Sequence, residues 1–425
     1  MRLSPQQMAA RRVRAAIVCL LVAGGALPAQ QPVPTPSPQA RLDSLTAVIR
    51  ALQARIEALE SAARKGDTAA VDELAALRAA AAAASADSTA QSAVPQQARL
   101  GANAMNPEIS VSGDLRAHLY RPGPQEGNFV AREFEVGFQS ALDPFSTAKV
   151  FLSVADGQVS LEEGYAFFTS LPGALRLDVG QFRQTVGELN RWHLHALDAD
   201  EYPLVMRRYA SEEGIKGPGA SLYWPVPVQP LHGTYELTLQ ATTNDNAVLF
   251  AGGRRPEVNA QLSGFWQFTR ATFAQVSASA MYGTNPDTGL TTRLGVAAAR
   301  FTWRPPQQAQ SREVTVRGEL WSLRRTFDLP GAAAFDRTRL GGYVATDVKL
   351  NRRWVFSMRG DYVQSPDPGV HANEWAVVPA LTFWESEFVY LRGQYEHARD
   401  PFRATRDRFT LQMVFAMGPH KHELF

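Results

Sequence analysis

Three features that define familiar classes of protein are scarce in this sequence. Cysteine occurs once among 425 residues, at Cys19, so disulfide bonds have no part in the expected fold. After residue 29 there is no run of 18 or more apolar residues, which argues against a transmembrane helix in the mature chain. Neither sign of charge dominates: 43 basic and 41 acidic residues give a formal net charge of +2, so a nucleic-acid-binding protein is not indicated.

Motifs of common enzymes are missing as well. The chain has no P-loop, no dinucleotide-binding glycine motif and no zinc-protease helix motif. Ser211 lies near two histidines in sequence, but no recognisable motif surrounds it, and nucleophilic catalysis needs a base and an orienting group. We therefore predict that the protein is not an enzyme and uses no cofactor.

The N-terminus has the pattern of a secretory signal peptide, which we place at residues 1–29. A basic region with three arginines precedes the apolar stretch Ala15–Leu27, and we predict cleavage near Ala29. The apolar stretch is too short to span a bilayer. An exported chain without a transmembrane helix is either a secreted soluble protein or a β-barrel, since only helices and closed barrels satisfy their backbone in lipid.

Three segments of different composition follow the signal peptide. Residues 30–40 are a proline-rich, stiff leader, and residues 85–107 are rich in Ala, Ser, Gln and Pro, which indicates a linker. Residues 41–84 are predicted to be helical, with three heptads whose a and d positions are Leu42, Leu45, Ile49, Leu52, Ile56 and Leu59. We predict a short coiled coil. The alternative is a single amphipathic helix packed on another surface.

From residue 109 onward, helical spacing gives way to alternation of apolar and polar residues. Trp354, Phe356 and Met358, for example, alternate with Ser357 and Arg359. Segments of about 10–15 residues are longer than strands of soluble sandwiches and suit tilted strands that cross a bilayer. Sixteen strands are predicted within residues 108–425, at 109–121, 129–143, 146–156, 160–170, 174–185, 218–227, 232–244, 255–269, 271–283, 292–305, 312–327, 336–350, 353–366, 373–386, 387–400 and 404–418.

Connections and aromatic residues indicate where this sheet lies. Tight turns such as Asp143–Ser146 alternate with longer loops such as Asn285–Leu290, as in outer-membrane barrels. Aromatic girdles at the two bilayer interfaces are predicted from Trp266, Trp303, Trp321, Trp354, Trp375 and Trp384. We predict an all-β, 16-stranded antiparallel transmembrane β-barrel in the outer membrane of a Gram-negative bacterium, with the N-terminal helix in the periplasm.

One connection is much longer than the others, the third loop at residues 188–217. A connection of about 30 residues in a compact fold is usually functional. We predict that it folds into the lumen as a pore constriction; the alternative is a cap outside the pore. Acidic and basic groups would face each other across the constriction, namely Asp198, Asp200 and Glu201 opposite Arg191, Arg207 and Arg208.

The predicted lumen face is charged, which requires water and favours an open pore. Its arginines are Arg176, Arg317, Arg339, Arg359 and Arg392. His193 and His195 in the third loop form a weak candidate metal pair, because alternate residues of an extended chain share a face. Two ligands do not complete a metal site, and the alternative is that both are polar loop histidines; the same holds for His420 and His422.

The third-loop region resembles a known family. The stretch Gly180-Gln181-Phe182-Arg183, the His193-x-His195 pair and the stretch Gly219-Ala220-Ser221-Leu222-Tyr223-Trp224 resemble the phosphate-selective porin O and P superfamily. Relatives labelled zinc-regulated outer-membrane receptors share the His-x-His loop and a Gly-Pro-His tail. The resemblance implies a sixteen-stranded, trimeric channel over residues 108–425. Phosphate-selective members line the pore with many lysines, whereas the barrel predicted here has few.

These patterns predict an outer-membrane channel for passive diffusion of small hydrophilic solutes or ions, including anions. The expected partners are outer-membrane lipid and two further copies of the chain, and no nucleic acid. One alternative is an anchor or tether whose residues 41–84 contact peptidoglycan or another periplasmic partner. Another is a metal-uptake receptor. A charged third loop inside the barrel favours the channel, because an anchor needs no constriction and its lumen could be plugged.

Overall fold

The computed structural model of the chain describes residues 107–418, except 122, 124–127, 245, 247, 252–254, 286–289, 329–332, 368, 371 and 400–404. The predicted signal peptide, leader, helical segment and nearly all of the linker lie outside the described residues, as do His420 and His422. Sixteen strands make up most of the described chain: β1 (Glu108–Arg121), β2 (Phe129–Asp143), β3 (Ser146–Ala155), β4 (Gln158–Phe168), β5 (Arg176–Arg183), β6 (Lys216–Val226), β7 (Thr234–Thr242), β8 (Glu257–Gln267), β9 (Thr272–Thr284), β10 (Thr291–Trp303), β11 (Glu313–Phe327), β12 (Phe335–Lys349), β13 (Trp354–Gln364), β14 (Asn373–Trp384), β15 (Val389–Arg399) and β16 (Arg406–Met417).

The strands form one closed antiparallel sheet in which each strand pairs with its neighbours in sequence. β1 and β16 close the barrel, in a register that runs from Val111 opposite Met417 to Arg121 opposite Asp407. Closure pairs every strand on both sides, so no sheet edge is left open. The sixteen-stranded barrel predicted from the alternating pattern is confirmed, and its strands begin and end within a few residues of their predicted bounds.

The alternation along each strand separates an apolar outer face from a polar inner face. In β13 the outward side chains Trp354 and Met358 are 38% and 40% exposed, whereas the inward Arg359 and Asp361 are 6% and 5% exposed. Trp303 also faces outward, as the girdle prediction requires. Trp321 does not: it is fully buried inside the barrel, so its assignment to a girdle was wrong.

Connections at one end of the barrel are mostly short, although three of them have seven to nine residues, and connections at the other end are mostly longer. The exception at the long-loop end joins β3 to β4 through Asp156 and Gly157, whose φ angles are +50° and +73°. An Asp-Gly pair with positive φ at both positions suits a two-residue β-hairpin turn. Within the described residues, the only α-helix is α1 (Leu204–Tyr209), in the connection between β5 and β6. No helix of this part of the chain is long and apolar enough to cross a membrane.

Candidate pore and its third loop

The third loop, which the structure bounds by Arg183 and Lys216, folds into the barrel. It contains two short 3-10 turns, Leu189–Arg191 and Leu194–Ala196, followed by α1. Its apolar side chains pack on apolar residues that the wall turns inward, and the shared cluster includes Trp192, Tyr202, Val205, Met206, Tyr209, Leu294, Val296, Trp321, Leu323 and Val378. Burial of these side chains away from water is the main force that holds the loop inside.

A buried carboxylate on β11 anchors the start of the third loop. Glu319 accepts hydrogen bonds from the backbone N–H groups of Glu188 (2.8 Å) and Leu189 (3.0 Å). It also accepts from the indole N–H of Trp321 (2.7 Å) and the hydroxyl of Tyr343 (3.2 Å). These four donors satisfy the hydrogen-bonding capacity of the buried carboxylate, and the two backbone donors among them fix the start of the loop beside β11.

Glycine is required where the third loop passes this carboxylate. The φ angle of Gly187 is +61°, and a Cβ atom at this position would lie 2.3 Å from an oxygen of Glu319. A side chain would therefore meet both an unfavourable backbone conformation and a steric clash.

A buried arginine on β16 holds the middle of the third loop. Asp200 is fully buried and lies 3.2 Å from Arg408, and Glu201 accepts from Arg408 at 2.7 Å and from Arg207 at 2.6 Å. Burial by itself would raise the pKa of Asp200, but the Arg408 and Arg116 guanidinium groups and the hydrogen bond from Gln394 together outweigh burial and hold that pKa below its usual value. Arg207 and Arg408 together outweigh the burial of Glu201, and its pKa lies well below the usual value. Both carboxylates therefore remain ionised at neutral pH.

A buried histidine joins the third loop to β2 and β4. Nδ1 of His193 bonds to Glu135, and its Nε2 lies 3.9 Å from Glu163. Burial lowers the pKa of His193, but the Glu135 carboxylate and the bonds to Glu135 and Glu163 outweigh it and raise that pKa to about 9. The imidazole is therefore a cation at neutral pH, and it forms an ion pair with the wall.

The predicted constriction residues do not form two opposed, unpaired rows. Asp198 pairs with Arg317 of the wall at 2.7 Å, and Glu201 pairs with Arg207 within the third loop itself. Arg208 is exposed and bonds to Glu374 at 2.7 Å. Arg191 is half-buried and lies beside a small cavity of about 40 Å³. Acidic and basic groups thus neutralise one another at close range, which weakens any field across the lumen.

Of the five predicted lining arginines, three contact the third loop. Arg359 donates to the backbone oxygen of Glu201 and Arg392 donates to that of Leu197, each at 2.8 Å. Arg317 stacks on Trp192, with its guanidinium carbon 4.9 Å from the ring centre. The other two lie elsewhere, as their contacts show: Arg176 stacks on Phe167 and pairs with Asp178, and Arg339 bonds to the backbone of Asp367 and Val370.

A cavity of about 570 Å³ remains between the third loop and the short-turn end of the barrel. Its lining is charged and comes from β11 to β15, with Asp198 of the loop above it; the principal residues are Arg317, Asp347, Lys349, Arg352, Glu385 and Arg392. Charged side chains of both signs require water around them, so this space is compatible with hydrophilic solutes.

The comparisons with known proteins concern the fold. No family model matches the chain. An uncharacterized protein of Aquifex aeolicus (strain VF5) is 29% identical over 94 residues, which are 22% of this chain and 20% of that protein. The chain thus spans about a fifth of the length of the curated relative that it matches.

Solved structures of outer-membrane channels share the architecture. The anion-selective porin of Comamonas acidovorans has a TM-score of 0.51 at 8% identity, covering 73% of this chain and 100% of that chain. The outer membrane channel DcaP of Acinetobacter baumannii has a TM-score of 0.51 at 9% identity, covering 73% and 96%. OmpF of Salmonella typhi, in complex with daunomycin, has a TM-score of 0.50 at 9% identity, covering 75% and 99%. The chain has the porin fold. At such low identity the likeness shows the fold and nothing finer.

Two groups that organise this porin fold have roles that the sequence did not indicate. Arg408 follows the alternation of β16 and could have been identified as an inward residue, but nothing local shows that it meets Asp200, 208 positions away. Glu319 lies on the face of β11 that was assigned to the lumen, yet its role as an acceptor for the loop backbone has no sequence pattern.

The weak metal prediction finds little geometric support. Within the described residues there is no group of three or more His, Cys, Asp or Glu side chains placed to hold a metal ion. The rings of His193 and His195 lie 5.9 Å apart, and Nδ1 of His193 is already bonded to Glu135. A histidine that is protonated by its carboxylate neighbours is a poor metal ligand, because binding requires the neutral imidazole.

Proposed function

We propose that the protein is an outer-membrane channel through which small hydrophilic solutes or ions diffuse, with the third loop as the constriction. The observation that supports this proposal is the charged cavity beside the loop, inside a barrel whose outer face is apolar. The polar lumen suits water, and the apolar outer face suits the hydrocarbon core of a bilayer. The long-loop end would face the exterior and the short-turn end the periplasm.

Local charge pairs would set the selectivity of this channel. Lys349, Arg352 and Arg392 of the cavity lining lie among carboxylates, so the solute would meet both signs at short range. A mixed lining favours small polar solutes over ions of one sign, and any anion preference depends on the exposed basic groups. The similarity of the third-loop region to the phosphate-selective porin O and P superfamily remains part of this proposal.

A second candidate is an anchor with a plugged lumen, and the apolar packing of the third loop favours it. Leu294, Val296, Trp321 and Leu323 turn inward and bury the loop, although a water-filled pore has no need of such a patch. Under this proposal the predicted coiled coil at residues 41–84 would be the functional part and would contact peptidoglycan or another periplasmic partner. For the channel and for the anchor alike, we propose a homotrimer with the predicted N-terminal helix in the periplasm.

Single-channel recording in a planar bilayer separates the two candidates. The refolded full chain should give stable current steps, and its reversal potential under a salt gradient reports the ion preference. Lys349→Glu, which reverses one charge of the cavity lining, should shift the reversal potential towards cation preference. Arg270→Glu is the matched control, because Arg270 is exposed in the turn between β8 and β9, away from the cavity.

The conductance result decides between channel and anchor. Steps whose selectivity responds to Lys349→Glu but not to Arg270→Glu support diffusion through the lumen. Arg207→Ala and Arg208→Ala then report on the third loop, with the larger effect expected for Arg207, which is bonded inside the barrel. An inserted barrel that stays electrically silent would refute the channel and support the plugged anchor.

A further inference from the structure

The outer face of the barrel has a groove across β6 to β11. It has a volume of about 860 Å³ and is open to the outside of the barrel, and most of its lining is apolar. The outward residues that line it include Ala260, Ala280, Tyr282, Arg293, Gly295 and Arg324. It lies on the opposite side of the sheet from the third loop, so the proposed channel function does not use it.

The register of the strands explains why this part of the wall is concave. Ala260, Ala280, Gly295 and Ser322 lie directly opposite one another on four successive strands, β8 to β11. Each has a small side chain or none, whereas the row nearer the loops contains Val258 and Tyr282. A Cβ atom added to Gly295 would meet no other atom within 4 Å, so the floor of the groove is open at this point.

Two arginines face each other at the loop end of the groove. Arg293 and Arg324 are directly opposite across β10 and β11, and both are exposed on the outer face. Arg324 bonds to Asp336 at 2.5 Å, and Arg293 lies against the ring of Tyr282 at 6.0 Å. Like charges directly opposite on one face destabilise a sheet. Within the described residues, Asp336 is the one carboxylate shown paired with these two guanidinium groups, so the arginine pair carries a net positive charge that an anion would neutralise.

We propose that this groove binds a phosphate-bearing glycolipid of the outer membrane leaflet, with acyl chains along the small residues and a phosphate between Arg293 and Arg324. Guanidinium groups pair with phosphate through two parallel hydrogen bonds, and exposed arginines on a lipid-facing surface need such a partner. A second copy of the barrel would cover the groove with another apolar face and leave the arginine pair without an anion. The proposal rests on the outer-membrane orientation given above, but not on conduction.

Native mass spectrometry of the full chain in mild detergent tests the proposal, with diphosphoryl lipid A as the probe. We expect the wild type to retain one lipid A molecule through collisional activation and to bind the dephosphorylated form more weakly. Arg293→Gln should weaken binding at least about tenfold by removing charge-assisted hydrogen bonds, and Arg293→Lys should lose less because it keeps the charge. Gly295→Leu should weaken binding by filling the groove without a clash in the protein.

Two matched controls isolate the groove. Arg399→Gln removes an exposed outward arginine at the loop end of β15, on another part of the barrel. Gly360→Leu adds a side chain at an outward glycine of β13 where a Cβ also meets nothing within 4 Å. Both should bind lipid A like the wild type. An equal loss of lipid A binding in the controls and the groove variants would overturn the proposal. Unchanged lipid A binding by Arg293→Gln and Gly295→Leu would overturn it as well. A smaller oligomer for Gly295→Leu with lipid A still bound would also overturn it, in favour of a second copy.

Discussion

Replacing Glu319 by alanine should release the start of the third loop from the wall of the barrel. The backbone N–H groups of Glu188 and Leu189 would lose their shared acceptor, and of the two the N–H of Leu189 is buried and that of Glu188 is half-buried. A buried donor left without a partner costs about 1–3 kcal/mol, so the Leu189 N–H alone removes roughly that much of the free energy that docks the loop. Even the lower limit corresponds to roughly a 5-fold rise in the population of the undocked loop.

Hydrogen–deuterium exchange of the full chain in detergent measures this effect. Exchange of peptides spanning the start of the third loop should accelerate in Glu319→Ala, while the barrel strands stay protected. Glu319→Gln should have a smaller effect, because its remaining oxygen can still accept the two backbone bonds. Glu313→Ala is the matched control: Glu313 lies on the same inward face of β11, but at the short-turn end, where Arg304 is 3.8 Å away. Unchanged exchange at the loop in Glu319→Ala would refute the anchoring role.

Three further predictions concern the third loop and the N-terminal helix. The pKa of His193 is raised from 6.5 to about 9 in the folded protein. Its stabilisation of the docked loop is therefore fully present below pH 6.5 and is lost as pH rises through 9. Hydrogen–deuterium exchange of loop peptides between pH 6 and 10, corrected for intrinsic rates, should show this loss in the wild type and not in His193→Gln. Gly187→Ala should lower the free energy of loop docking by at least about 1 kcal/mol, because of the positive φ and the contact with Glu319, and so accelerate hydrogen–deuterium exchange of the loop. Gly173→Ala, at a positive-φ turn with open space, should leave loop exchange unchanged. Deletion of residues 41–84 should leave a heat-modifiable, folded barrel but lower the fraction of trimer in native electrophoresis; an unchanged trimer fraction would contradict a role of the helix in assembly.

Much of the barrel was predictable because strand patterns are local. Residues Trp354 to Gln364 of β13 alternate between an apolar outer and a polar inner face, and each residue's face follows from period-two geometry alone. Where a strand has apolar residues on both faces, the prediction of which face contacts lipid failed. Trp321 looked like an interface residue, but it belongs to an inward apolar patch that exists only because the third loop covers it.

The charge arrangement of the third loop was less predictable than its position. Length and order indicated that the connection between β5 and β6 was special, and the structure places it inside the barrel. Glu201 and Arg207 were predicted to lie on opposite sides of a constriction, yet they form an ion pair at 2.6 Å, because α1 brings them together within the loop. Pairing distances depend on backbone turns that residue types alone do not specify.

The sequence by itself determined the number of strands, their faces and the exceptional length of one connection, because alternation and spacing are properties of neighbouring residues. Only the tertiary structure decided what the inward charges meet. Asp200 and Arg408 are 208 positions apart, and Glu319 and Leu189 are 130 apart; docking of the third loop inside the barrel brings each pair together. Pairing of β8 to β11 aligned Ala260, Ala280, Gly295 and Ser322 into the floor of the outer groove and set Arg293 against Arg324, since strand register depends on how both strands and their turn fit together.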